Sequence, residues 1–218
     1  MDWDNSNASK DPYNRFAYGV APAKDKADFA FILHILSSLN ETGQACIVCS
    51  QGVLFRSGEE GKIRTNLIKG IENLAGDIIE AVIALPSNLF WGTGIPACVL
   101  VLNKKKPAKR KDKILFIYGA KDFEDGKNRA KLRDDDIKKI VSAFDKYEDV
   151  EKYCHVADLS ELEENEFNLN VPRYVDISEP EEPIDIQEAY DELSELESEQ
   201  KALEKKVKDD LKELGIKL

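Results

Sequence analysis

Four short apolar runs do most to limit what this 218-residue chain can fold into. They are Gln44–Cys49 (QACIVC), Ile78–Leu85 (IIEAVIAL), Ala97–Leu102 (ACVLVL) and Ile114–Tyr118 (ILFIY). Runs this short and this poor in polar residues read as strands. The first has the composition expected of a strand buried on both faces of a parallel sheet. Between them lie stripes at helical spacing. Phe31, Ile32, Ile35, Leu36 and Leu39 follow Asp28, which is placed to cap a helix ending near residues 40–43. Ile63, Leu67, Ile68, Ile71 and Leu74 mark a second helix over residues 62–74, after a glycine-containing loop from 52 to 61. Alternation of this kind is the pattern of an α/β domain. Only about eleven residues without helical pattern separate the second and third runs, too few for a helical crossover, so those strands should pair as an antiparallel hairpin.

Around this centre the first 24 residues read as loop. Seven bases lie between Lys104 and Lys113 and form a basic linker. Asp134, Asp135 and Asp136 open a helix that runs to Tyr147, where their charge suits the N-terminal dipole. Tyr153–Val156 suits a short edge strand, and residues 168–175 (NLNVPRYV) read as extended, with Pro172 barring a central strand position. Beyond Pro180 and Pro183, Ile186, Ala189, Leu193, Leu196, Gln200, Leu203, Val207, Asp210 and Leu214 recur at alternating steps of three and four. That is a heptad-like seam. A helix of roughly 30 residues is about 45 Å long and cannot cover such a seam alone, so it needs a partner helix, its own body or a second copy.

Charge follows the same division. Residues 176–218 hold 15 acids and 6 bases, whereas residues 1–175 hold 27 and 25, so the net charge of −11 belongs largely to the tail. The near-neutral body leaves a nucleic-acid partner open. No apolar run approaches the roughly 20 residues of a membrane helix, and the four cysteines read as reduced thiols of a cytoplasmic protein. Cys46 and Cys49 match C-x-x-C, but a three-residue offset along a strand points them to opposite faces.

Catalytic constellations are not complete here. Two histidines give no Ser-His-Asp logic, no Walker sequence occurs, and Gly92-Thr93-Gly94 lies between two strands and opens no helix. Ligands of open α/β sheets bind outside the carboxyl ends of strands, which singles out the loops at residues 50–58 and 86–96. The second carries Asn88, Phe90 and Trp91 among glycines. Those aromatics either plug the end of the sheet or form an exposed face.

Four segments in order carry a resemblance: DFAFILHILSSL (28–39), GVLFRSGEEGKIR (52–64), LPSNLFWGTGIPACVLVLNKKK (85–106) and NLNVPRYVD (168–176). The chain resembles the modification subunit of type I restriction-modification systems, a family of S-adenosylmethionine-dependent DNA adenine-N6 methyltransferases. The resemblance implies the C-terminal half of a methyltransferase Rossmann-like sheet with an antiparallel terminal strand over residues 1–104, a small α/β extension over 105–178 and a long helix over 179–218. It implies that Phe90 and Trp91 face a flipped adenine, with Asn88 in the same loop. Gln51 would reach the base edge and Arg56 the phosphates from the adjacent loop, where Ser50 replaces an expected proline.

The family's Asn-Pro-Pro-aromatic motif and its glycine-rich cofactor turn are not found in this sequence. Asp11-Pro12-Tyr13 lacks a proline and a preceding strand. The chain therefore reads as beginning just after the catalytic strand, inactive by itself and using S-adenosylmethionine only once joined to an N-terminal methyltransferase portion. Half a sheet would leave an open edge. Implied partners are DNA, a specificity subunit docked along residues 184–214 and a restriction subunit in the full complex. Two other readings remain: a non-catalytic module docking through its tail helix, and a nucleic-acid binder using Lys104–Lys113.

Overall fold

The computed structural model describes residues 4–5, 7–19, 21–126, 129–178 and 186–213. They form two compact units, Met1–Ile177 and Ser178–Leu218.

The first unit is built on a five-stranded mixed sheet. Its strands are β1 (Gln44–Ser50), β4 (Ile79–Ala84), β5 (Ala97–Asn103), β6 (Lys113–Tyr118) and β9 (Cys154–Asp158), in the order β1-β5-β4-β6-β9. β5 runs antiparallel to both β1 and β4. β6 lies parallel to β4, and β9 closes the far edge antiparallel to β6. The expected antiparallel hairpin is present, tied at its mouth by the Leu85 N–H donating to the Ala97 carbonyl at 3.0 Å. Segment 105–178 continues this same sheet through β6 and β9. Two small hairpins, β2–β3 (Gly70–Ile71 with Leu74–Ala75) and β7–β8 (Glu124–Asp125 with Ala130–Lys131), project from it.

Each face of the sheet has its own core. On one, Phe29, Ile32, Leu33 and Leu36 of α1 (Asp28–Ser38) pack with Ile63 and Leu67 of α3 (Glu59–Lys69), Leu162 of α5 (Leu159–Glu164) and the inward residues of the strands. On the other, Ile140 and Ala143 of α4 (Asp134–Lys146) and the following Tyr147 cover Ala81, Ile83, Leu115 and Ile117. The α4 start fits its three acids: the Arg133 N–H donates to the Asp136 carboxylate at 2.9 Å. Asp28 does not cap α1 as expected. It lies inside the helix, Ala27 holds the cap position without a side-chain bond, and the Asp28 carboxylate serves an ion pair instead.

Two further expectations change. β1 is not buried on both faces. It is an edge strand whose burial alternates, with Ala45, Ile47 and Cys49 packed against the α1 core and Cys46 and Val48 exposed, Val48 by 57%. No helix crosses its second face, so apolar composition here does not signal two-sided burial. Residues 168–175 are not extended throughout, because Val171–Arg173 is a 3₁₀ turn with Pro172 near its start. That turn brings the Tyr174 ring onto Phe116, 3.8 Å between centroids and 8° from parallel. The Tyr174 hydroxyl donates to the Asn168 carbonyl at 2.7 Å.

The second unit contains α6 (Ile186–Glu213), a single 28-residue helix. The expected docking segment extends past it at both ends, and residues 184–185 and Leu214 lie outside the described residues. No helix among the described residues is long and apolar enough to cross a membrane.

Candidate functional site

Strand register brings the two singled-out loops to one end of the sheet. Ser50, the last residue of β1, is opposite Ala97, and Ala84, the last of β4, is opposite Cys98 and Tyr118. The loops after β1 and β4 thus leave from the carboxyl ends of parallel strands.

In the loop after β4, Pro86 is buried and Leu89 packs into the second core, so Leu89 and not the aromatic pair fills the end of the sheet. Phe90 is 42% exposed and Trp91 82% exposed, with Ile95 also open to solvent. Two left-handed residues shape this turn: Asn88 at φ 54° and Gly92 at φ 79°. Asparagine is among the few side chains that adopt such a conformation readily. The Asn88 carbonyl accepts the Ala130 N–H at 3.1 Å, which fastens the β7–β8 hairpin to the loop. That attachment places Arg129, with its guanidinium carbon 4.2 Å from the Trp91 ring centroid. A cation at this distance is attracted to the ring face. Arg129 is a residue that sequence reasoning missed, since 38 positions separate it from Trp91 and nothing in the local pattern links them.

The loop after β1 is more ordered than expected. Gln51, half-buried, starts a short helical turn, α2 (Gly52–Phe55). Arg56 donates to Asp28 at 2.8 Å, to both oxygens of Glu60 at 3.1 Å and to the Ser50 hydroxyl at 3.2 Å. Its guanidinium occupies the space a side chain at Gly52 would need, since a Cβ there would come within 2.3 Å of it. Burial pushes the Glu60 carboxyl above its usual range, against the opposing pull of Arg56. Behind this cluster Arg64 is buried. It donates to the carbonyls of Val53 at 3.1 Å, Arg56 at 3.0 Å and Phe167 at 2.8 Å, and burial pushes its guanidinium down to about 10. Asp28, Glu60 and Arg64 were also missed. The four-residue steps from Arg56 to Glu60 to Arg64 were the available signal.

Other sequence candidates fall elsewhere. Asp11 forms a turn, its carboxylate accepting from the Arg15 backbone N–H at 2.7 Å and from the Arg15 guanidinium, which holds its pKa down at about 2. The basic linker is partly committed. Lys104 donates to the Leu39 carbonyl at 2.7 Å, buried Lys106 pairs with Asp77, and Arg110 pairs with Glu80 at 3.0 Å. Lys105, Lys109, Lys111 and Lys113 remain exposed. Cys46 is exposed and Cys49 half-buried on the opposite face, with burial pushing the Cys49 thiol up to about 12.

S-adenosylmethionine does not fit the described residues at these junctions. The Gly52 turn is filled by the Arg56 guanidinium, and a Cβ at Gly119, after β6, would meet the Ala84 carbonyl and the Ile140 side chain at 3.1 Å. No step of a reaction is derived through that group below.

The family model for N-6 DNA methylases matches residues 1–183. The chain is 38% identical over 193 residues to the type I restriction enzyme MjaVII methylase subunit of Methanocaldococcus jannaschii, covering 87% of this chain and 32% of that one. It is 36% identical over 229 residues to the HindI methylase subunit of Haemophilus influenzae, covering 98% and 49%. Its fold is similar to the crystal structure of the type I restriction-modification methyltransferase subunit from Streptococcus thermophilus, with a TM-score of 0.73 and 39% identity over 80% of this chain and 36% of that one. The chain therefore spans between about a third and a half of the length of these relatives. A match of this extent, on a mixed sheet of the same fold, makes the chain a member of the N-6 DNA methylase family, among the methylase subunits of type I restriction enzymes.

Proposed function

We propose that this chain supplies the base-facing and subunit-docking parts of a type I modification methyltransferase, which transfers a methyl group from S-adenosylmethionine to adenine N6 in DNA. One observation carries the reading: the exposed Phe90–Trp91 pair stands at the carboxyl end of the sheet, in a loop fixed from behind by Leu89 and the Asn88–Ala130 bond. A flipped base needs a flat apolar face to offset unstacking, and stacking on an aromatic contributes about 1–3 kcal/mol. In this reading Asn88 sets the turn that presents the two rings. Gln51 approaches the base edge from the neighbouring loop. Arg56, already held by Asp28 and Glu60, steadies that loop at the phosphate side.

The methyl donor and the Asn-Pro-Pro-aromatic motif belong to the remaining methylase portion, so the isolated chain is inactive. The specificity subunit docks along residues 184–214, and a restriction subunit joins the full complex in the cytoplasm. A second reading has its own support. Leu193, Leu196, Leu203 and Val207 are all exposed along α6, as a docking module without chemistry requires.

Reconstitution separates the two. The chain is combined with the remaining methylase portion and a specificity subunit, and methyl incorporation into adenine is measured alongside co-purification. Incorporation that falls on Phe90→Ala while assembly persists supports the catalytic reading. Assembly without incorporation in any combination leaves the docking module. Deleting residues 184–218 should abolish co-purification, and retained assembly would defeat the docking role.

A further inference from the structure

The seam of α6 has borders, and their charge restricts what can lie against it. With Leu193, Gln200 and Val207 at one inner position of the heptad and Leu196 and Leu203 at the other, the flanking positions are Glu192, Glu197, Glu199 and Glu204, then Lys206. Residues 186–199 hold six acids and no base. The helix dipole favours acids only within the first turn, so it does not account for Glu195, Glu197 and Glu199. These glutamates are exposed alongside the apolar residues they border.

Self-association meets this pattern badly. A parallel pair of copies sets Glu192 against Glu197 and Glu199 against Glu204 across the interface, each twice. An antiparallel pair that aligns Leu193 with Leu203 brings Glu197 onto Glu197 and Glu199 onto Glu199. Like charges at these positions select against a pairing, and opposite charges select for one. Gln200, whose amide donates to Glu204 at 3.0 Å, adds a polar position in the seam that a matching partner must face.

We infer that the α6 seam takes a helix of a different chain, one whose apolar stripe is bordered by lysine or arginine, and that it is not a homodimer interface. The inference rests on the docking role given to this helix above and adds the chemistry of its partner. It does not depend on the methyl-transfer reading.

The test uses the full 218-residue chain and two synthetic helical peptides of about four heptads, identical at their inner positions and carrying lysine or glutamate at every flanking position. Fluorescence anisotropy reads binding, and sedimentation equilibrium reads the state of the chain alone. The expected result is a monomeric chain that binds the lysine-flanked peptide at least about tenfold more tightly, with the difference vanishing near 1 M salt, where the Debye length falls to about 3 Å. Replacing Glu192, Glu197, Glu199 and Glu204 together by lysine should invert the preference. These positions are on an exposed helix face, so circular dichroism should show the helix retained. Equal binding of both peptides, binding of neither, or a dimer of the chain that Leu196→Asp disrupts would each overturn the inference. Loss of methyl transfer in the reconstituted enzyme, with peptide selectivity intact, would sink the catalytic reading alone.

Discussion

Glu80 is the residue whose replacement most directly tests how the sheet is held. Its side chain is 2% exposed, on β4, between the two cores. One carboxylate oxygen accepts from Arg110 at 3.0 Å and the other from the Asn103 amide at 2.9 Å. Arg110 in turn donates to the carbonyls of Phe144 and Asp145, both at 3.1 Å, and lies 4.9 Å and 4.6 Å from the ring centroids of Phe144 and Tyr147. Glu80→Ala leaves this guanidinium among aromatic rings without its counter-charge. Removing one partner of a buried pair costs about 3–5 kcal/mol. That is a large part of a total stability of roughly 5–15 kcal/mol. For a chain of this size it corresponds to a fall in Tm of about 6–20 °C. Urea unfolding followed by circular dichroism, on Glu80→Ala, Arg110→Ala and the double variant, measures it. The double variant should lose clearly less than the sum of the singles. A loss below about 1 kcal/mol for Glu80→Ala, the size of an exposed pair, would refute the reasoning. So would singles that add within about 0.5 kcal/mol.

Three other predictions follow from the same coordinates. In the completed methylase, Phe90→Ala should lower methylation about five- to 150-fold, the equivalent of 1–3 kcal/mol of stacking, and unchanged methylation would remove Phe90 from the site. Tyr174→Ala should cost about 3–5 kcal/mol in denaturant unfolding, whereas Tyr174→Phe, losing only the bond to Asn168, should cost about 0.5–1.5 kcal/mol; equal losses would contradict the stacking account. The Asp136 carboxyl is held down at about 2 by the Arg133 side chain and backbone N–H. Its contribution is therefore present above the ordinary carboxylate range near 4 and is lost as pH falls toward 2. Asp136→Asn should flatten the acid limb of the stability profile in that window, and an unaltered limb would count against the assignment.

Much of the fold was legible in the sequence, because apolar runs and helical stripes report local periodicity. The β4–β5 hairpin followed from spacing, and the edge position suggested by Tyr153–Val156 is that of β9. What periodicity does not carry is what lies on the far side of an element. QACIVC looks the same whether one face or both are covered, and only the strand order shows β1 at the margin. NLNVPRYV likewise conceals a turn that depends on Phe116 being there to receive Tyr174. At the candidate site, the loops were found from strand ends, whereas Arg129, Asp28 and Arg64 depend on tertiary placement over distances that one-dimensional pattern does not report.

The way residues 167–175 close the first core also bears on how the body is made. Arg64 bonds to Phe167 across 103 positions, and the Leu169 N–H donates to the Leu54 carbonyl at 2.9 Å. Tyr174 completes the stack on β6. Contacts so distant in sequence form late, after the loop entropy between them has been overcome. During synthesis the core face of β4, β5 and β6 therefore stays uncovered until its last few residues arrive. A stop codon near residue 165 would yield an open sheet with its interior facing solvent, a substrate for proteases and chaperones rather than a slightly shorter version of the same domain.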